Sequence, residues 1–190
     1  MILKNKILIL GSKSPRRKEL LEGLGIEFII RTKDTDESFP ASLPSAEVAK
    51  YIALKKADAL LSELLSNEIV LCSDTVVIID DLILGKPVDE KDAESMLKLL
   101  SGRTHQVITG VVIASLDKKT IFDVTTKVTF KNLSEEEIKY YITKYKPFDK
   151  AGGYGIQEWI GYIGVTSLQG SYFNVVGLPT QEVYKALSEF

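Results

Sequence analysis

At 190 residues, 45% of them hydrophobic, the chain can bury a sizeable core in one domain, or in one domain of two lobes. Its 24 Lys and Arg against 26 Asp and Glu give a formal net charge of −2, which argues against a general nucleic-acid binder without excluding a local basic pocket. A single cysteine, Cys72, excludes an internal disulfide framework and suits a reducing compartment, and a single histidine, His105, excludes a histidine-rich metal site.

No stretch reaches the length of a membrane span, and the opening Met1-Ile2-Leu3-Lys4-Asn5-Lys6 is too short and too quickly charged for a signal peptide. A soluble cytoplasmic protein is expected, with neither membrane nor nucleic acid as partner. No internal repeat, low-complexity tract or linker interrupts the chain.

Residues 6–10 read as an apolar strand and 15–24 as a helix, with Ser12-Lys13-Ser14-Pro15-Arg16-Arg17 between and across them. A loop that opens a helix leaves backbone N–H groups unpaired, and the helix dipole adds partial positive charge there. Ser14 suits the N-cap, Pro15 the first helical position and Gly25 the end of the helix. Leu20, Leu21 and Leu24 form its inner face. Arg16 and Arg17 oppose the dipole in the first turn, which makes sense where a ligand supplies negative charge. Two hydroxyls and two guanidinium groups at one spot point to an anion site, with phosphate as the anion; two solvated arginines behind an ordinary cap are the plainer reading.

A strand at 26–31 leads to the polar loop Thr32-Lys33-Asp34-Thr35-Asp36-Glu37-Ser38 and then to a long helix at 46–65. In that helix Lys56 has Ile52, Ala53, Ala59 and Leu60 at its i±3 and i±4 positions, so it projects from an inward-looking face. It is either a snorkelling lysine or a functional one. Lys55 reads as a surface residue.

Strands are predicted at 69–72 and 76–79, on either side of Ser73-Asp74-Thr75. Asp74 interrupts an otherwise apolar run. It is either a turn carboxylate or a general base or metal ligand, because an ionised carboxylate is costly to bury without partners. Asp80-Asp81 turns into a short strand at 82–84, and Gly85-Lys86-Pro87 places Lys86 on a defined loop.

Asp89 caps a helix at 90–100, and two long strands follow at about 105–115 and 120–130. His105, without a local Ser or Cys partner, reads as structural. Ser134 and Glu137 form a capping box for a helix at 135–145. Short strands are expected at 154–157 and 161–167, and helical pieces at 172–176 and 180–188. The glycine-rich Ala151-Gly152-Gly153-Tyr154-Gly155-Ile156-Gln157 permits close approach to a flat ligand, with Gln157 offering both a donor and an acceptor. The interleaved pattern indicates an α/β fold with a mixed sheet. No Gly-x-x-x-x-Gly-Lys-Ser/Thr is present, so a P-loop nucleotide hydrolase is not supported.

Together these segments resemble the Maf family of nucleoside triphosphate pyrophosphatases. The resemblance rests on residues 12–17, Asp36-Glu37-Ser38, Ala53-Leu54-Lys55-Lys56-Ala57, Ser73-Asp74-Thr75, Gly85-Lys86-Pro87, Leu100-Ser101-Gly102-Arg103-Thr104-His105 and Asp149-Lys150-Ala151-Gly152-Gly153-Tyr154-Gly155-Ile156-Gln157, in the family's order. Ser73, where alanine is common, and Trp159, where small residues are frequent, depart from the pattern.

The resemblance implies one domain over 1–190. It would be an elongated two-lobed α/β structure with a mixed β-sheet and a central cleft, similar to inosine triphosphate pyrophosphatases. It implies hydrolysis of a nucleoside triphosphate to monophosphate and diphosphate with a divalent metal cation, Mg²⁺ or Mn²⁺, and a preference for dTTP and UTP. Carried over residue by residue, Ser12, Arg16, Arg17, Lys56 and Lys86 would hold the triphosphate, and Thr75 and Gln157 would read the base. Glu37 and Asp74 would hold the metal, with Asp74 as catalytic base. A homodimer is in keeping with the family. The alternative function is a nucleotide-binding regulator of cell division whose catalysis is incidental.

Overall fold

The computed structural model describes residue 3 and residues 5–190, so part of the N-terminal hexapeptide read above lies outside the described residues. The elements run β1 (Ile7–Leu10), α1 (Pro15–Gly23), β2 (Phe28–Ile30), α2 (Val48–Leu61), β3 (Glu68–Ile79), β4 (Leu82–Leu84) and α3 (Glu90–Leu100). They continue with β5 (Thr104–Ala114), β6 (Lys119–Phe130), α4 (Glu135–Tyr145), α5 (Trp159–Gly164), β7 (Val165–Gln169), α6 (Tyr172–Val176) and α7 (Thr180–Leu187). The strands form one seven-stranded sheet in the order β2-β1-β3-β5-β6-β7, with β4 paired to β3. β1 is parallel to β2 and β3, whereas β3–β4 and β6–β7 are antiparallel. The mixed α/β class expected from the sequence is the one observed.

The caps explain several boundaries. The Ser14 side chain accepts from Arg17 N with Pro15 at the start of α1, and Gly25 beyond its end takes φ +68°. Asp89 caps α3, and α4 opens on the full Ser134–Glu137 capping box.

The chain divides into two units, each described by itself. The first comprises Met1–Asp74, Thr109–Val124 and Gly177–Phe190, and the second Thr75–Ile108 and Thr125–Val176. In the first, side chains alternate along the strands and serve two cores. Leu8, Leu10, Ile69, Leu71, Val111 and Ile113 pack with Leu21 of α1 and Val183 and Leu187 of α7. Ile9, Val70, Cys72, Val112 and Ala114 pack with Ala53, Ala57 and Leu60 of α2. Helices on both faces explain why these strands read as unbroken apolar runs. Gly110 on β5 lets α2 settle onto the sheet, since a Cβ there would lie 2.3 Å from Lys50 N. The second unit packs Val77, Ile79 and Leu84 with Leu97 and Leu100 of α3, Tyr141 of α4 and Phe130 and Tyr154.

Four predictions are corrected. The strands at 69–72 and 76–79 are one strand, Glu68–Ile79, running through Ser73-Asp74-Thr75. The triplet holds no Gly or Pro to break the ladder, and Asp74 gains an ionic partner that lets it stay in the strand. No strand forms at 154–157. Ala151–Gly153 makes a 3₁₀ turn with Gly152 and Gly153 at φ +69° and +71°, and Glu158 N then donates to Gly155 O at 3.0 Å. The predicted strand at 161–167 is helix to Gly164 and strand from Val165. Gly161 lies so close to the Ile156 carbonyl that a Cβ would meet its oxygen at 1.8 Å. The long helix at 46–65 is shorter, Val48–Leu61, behind a 3₁₀ turn at Ser45–Glu47.

Candidate active site

Strand alternation settles which way Asp74 faces. It lies two residues beyond Cys72 and four beyond Val70, both of which pack toward α2, so its carboxylate projects to the face that α2 covers. The helix places Lys56 there among buried Ile52, Ala53 and Leu60. Lys56 Nζ lies 2.7 Å from Asp74 Oδ1 and 2.7 Å from Glu37 Oε1. The Lys56 and Asp74 side chains are only 17% and 15% exposed, so the pair is screened far less than a surface ion pair.

Glu37 arrives on a loop without regular structure that is fastened on both sides. Ser38 N donates to Asp36 Oδ1 at 2.9 Å, and Lys55 Nζ reaches Asp36 Oδ2 at 3.3 Å and Ser38 O at 3.1 Å. The hydrogen bonds from Ser38, ahead of the one from Lys55, hold the Asp36 carboxyl down at about 2. Lys55 therefore does more than face solvent, the role the sequence reading gave it.

The loop before α1 carries the residues expected to meet an anion. Ser14 N donates to Ser12 Oγ at 3.2 Å, and Arg17 donates through Nη1 to the same oxygen at 3.4 Å and through Nε to Gly177 O at 2.9 Å. Ser12 is buried and Arg17 half-buried. Burial pulls the Arg17 pKa below its usual value, against the raising pull of Asp74; Arg16 lowers it and Glu37 raises it. Ser12, Arg17, Lys56, Glu37 and Asp74 are thus parts of one electrostatic neighbourhood, with Arg16 beside it. Sequence reasoning did not find Gly177: it lies 160 residues from Arg17, and a backbone carbonyl leaves no local sequence signal.

The remaining predicted residues belong to the second unit. Thr75 is half-buried and directly follows Asp74. Lys86 is exposed on its loop, and that loop is tied to the glycine-rich segment by Gly152 N donating to Gly85 O at 2.9 Å. Gln157 is half-buried, and its Oε1 is buried without a hydrogen-bond partner among the described residues. His105 is structural, as expected. It is 1% exposed, its Nε2 lies 2.6 Å from the Tyr154 hydroxyl, and burial pushes its pKa down to about 4.

Among the described residues no group of three or more His, Cys, Asp or Glu gathers to hold a metal. Two carboxylates converging on one cation still fit a hard divalent ion that takes its other ligands from water and phosphate. A hollow of about 710 Å³ in the first unit, lined by Lys18, Glu22, Glu27 and Phe28 among others, shares no residue with the site.

A mixed α/β protein that brings half-buried cations and paired carboxylates near the opening of its first helix carries side chains whose chemistry suits an anion and a divalent ion. The chain belongs to the Maf family: it matches the family described as Maf-like protein over residues 7–190. Relatives named dTTP/UTP pyrophosphatase include one from Bacteroides thetaiotaomicron, 50% identical over 183 residues, covering 96% of this chain and 95% of that one. Another from Flavobacterium psychrophilum is 52% identical over 180 residues, covering 95% and 92%. A third from Porphyromonas gingivalis is 49% identical over 191 residues, covering 99% and 96%. Among solved structures, a nucleoside-triphosphatase described as a dITP/XTP pyrophosphatase from Mycobacterium abscessus aligns with TM-score 0.44 and 12% identity, over 94% of this chain and 90% of that one.

Proposed function

We propose that this chain is a nucleoside triphosphate pyrophosphatase. It hydrolyses dTTP and UTP foremost, to nucleoside monophosphate and diphosphate, and residues 1–190 make up one pyrophosphatase domain. The observation that carries the reading is Lys56 held at 2.7 Å by both Glu37 and Asp74, within the field of Arg17. The names of relatives that align over nearly the whole chain support it.

Ser12, Arg16, Arg17, Lys56 and Lys86 bind the triphosphate and neutralise charge that develops on it. Arg17 does so from a fixed pose, because Gly177 and Ser12 already hold two of its N–H groups. Glu37 and Asp74 would hold Mg²⁺ or Mn²⁺, which would supply Lewis-acid neutralisation of the phosphate charge. Lys56 pairs with both carboxylates, and the triphosphate oxygens compete with them for its ammonium. Asp74 then orients a water and takes its proton as the oxygen attacks the α-phosphorus. The bond to the bridging oxygen breaks and diphosphate leaves.

Thr75 and Gln157 read the pyrimidine edge. Uracil and thymine present O4 as acceptor and N3–H as donor, whereas cytosine reverses both, so cytosine leaves polar groups unpaired. The test is product analysis with Mg²⁺ and dTTP, UTP, CTP, ATP and GTP supplied separately. Monophosphate plus diphosphate from dTTP and UTP is the expected result. Nucleoside diphosphate plus orthophosphate would overturn attack at the α-phosphorus, and no turnover of dTTP or UTP would overturn the activity.

A further inference from the structure

The turn that carries Gln157 is braced by three side chains that the proposed chemistry does not use. Gly155 and Glu158 are the ends of this turn, joined by Glu158 N donating to Gly155 O at 3.0 Å, and Gln157 is its second central residue. Both ends also meet at a single hydroxyl. Tyr141 OH accepts from Gly155 N at 2.9 Å and donates to Glu158 Oε2.

The other Glu158 oxygen takes Lys150 Nζ at 3.1 Å, and that ammonium also reaches Asp149 Oδ1 at 2.7 Å. The brace is largely shielded from solvent: Tyr141 is fully buried, and the Lys150 and Glu158 side chains are 10% and 20% exposed. Burial first, then Glu158, push the Tyr141 pKa up, so the hydroxyl keeps its proton and remains a donor. No free volume softens the fit, since a Cβ on Gly155 would come within 3.0 Å of the Glu158 carboxylate and 3.1 Å of Lys150 Cε.

We propose that Tyr141, Glu158 and Lys150 are positioning residues for base selection, which fix the amide of Gln157 so that its buried Oε1 meets the donor of the base. The assignment rests on the base-reading role proposed above for Gln157. An amide discriminates between two bases of similar shape only if its acceptor and donor cannot swing to suit either. Backbone hydrogen bonds at both ends of a four-residue turn fix where the side chain starts. A hydroxyl shared between those ends couples them. The charge on Glu158 is tolerable in the interior because Lys150 balances it.

The test measures kcat and KM for dTTP, UTP and CTP in the wild type and in Tyr141→Phe, Glu158→Gln, Gln157→Ala and the Tyr141→Phe/Gln157→Ala double variant, with thermal melting of each. Tyr141→Phe and Glu158→Gln are each expected to reduce the preference for dTTP and UTP over CTP about tenfold. The change should lie mainly in KM, with kcat near wild type because the reacting phosphate is untouched. In the Gln157→Ala background, Tyr141→Phe should change the preference no further, because there is no amide left to position.

A preference unchanged in the two single variants, whatever their melting temperatures, would overturn the assignment and leave a purely structural brace. Effects that multiply in the double variant would also overturn it. A wild type that hydrolyses CTP as readily as dTTP, or hydrolyses none of them, would instead remove the reading of Gln157, and this assignment would fall with it.

Discussion

The lone histidine gives the sharpest quantitative test of the structure. His105 is 1% exposed, sits between Phe130 and Tyr154 with ring centroids 5.4 Å from each, and titrates at about 4 instead of 6.5 because burial disfavours the imidazolium. Between those values the unfolded chain takes up a proton that the folded chain refuses, so stability falls as pH drops through 6.5 and stops falling below about 4. The 2.5-unit difference corresponds to about 3 kcal/mol in full, of which about 2 kcal/mol is already lost at pH ~5 relative to pH ~8. For a chain of this size that loss lowers the melting temperature by roughly 4–8 °C.

Because the chain has one histidine, its imidazole proton resonance needs no assignment and can be followed directly in a pH titration by NMR. Urea unfolding of wild type and His105→Gln, at pH ~8 and ~5, isolates its contribution from the carboxylates. The stability gap between the two proteins should change by about 2 kcal/mol across that range. A resonance that titrates near 6.5 in the folded protein, or a gap independent of pH, refutes the buried neutral imidazole and the packing around it.

The other predictions concern the site and its support. Asp74→Asn keeps the shape of the side chain but removes the proposed base, and turnover of dTTP should fall at least ~100-fold in a steady-state assay. Arg17→Lys cannot hold both Gly177 O and Ser12 Oγ while presenting a flat, forked face to phosphate, so kcat/KM should fall ~10–100-fold with melting little changed. Gly110→Ala drives a Cβ against the backbone of Ala49 and Lys50 and should destabilise the protein by about 3 kcal/mol in urea titrations, with lower activity because α2 carries Lys56.

Much of the first unit was legible because its determinants are local. The run before α1 announces itself through Ser14, Pro15 and two arginines in sequence, and the apolar neighbours of Lys56 on α2 show that it points inward. What the residues alone left open was the partner. Asp74 was equally readable as a turn residue until the strand ran through it, and strand periodicity brought it to Lys56, 18 positions away. The glycine-rich segment misled for a different reason. Tyr154, Ile156 and Tyr162 have strand-like composition, whereas the backbone there follows two positive-φ glycines and the packing of Gly161 on a carbonyl, which are tertiary constraints that local preference cannot register. The Tyr141 brace was invisible because it joins α4 to a turn through side chains whose types, Tyr, Glu and Lys, are ordinary anywhere on a surface.

The interleaving of the chain has a consequence for its synthesis. The first unit draws on three separate stretches, and Gly177–Phe190 supplies both Leu178, Val183 and Leu187 to its core and the carbonyl that fixes Arg17. Arg17 is made 160 residues before Gly177, so its guanidinium group waits for that stretch to emerge before it finds its anchor. A nascent chain halted before residue 177 would carry residues 12–17 without the carbonyl that holds Arg17, so a truncated translation product should lack the proposed activity.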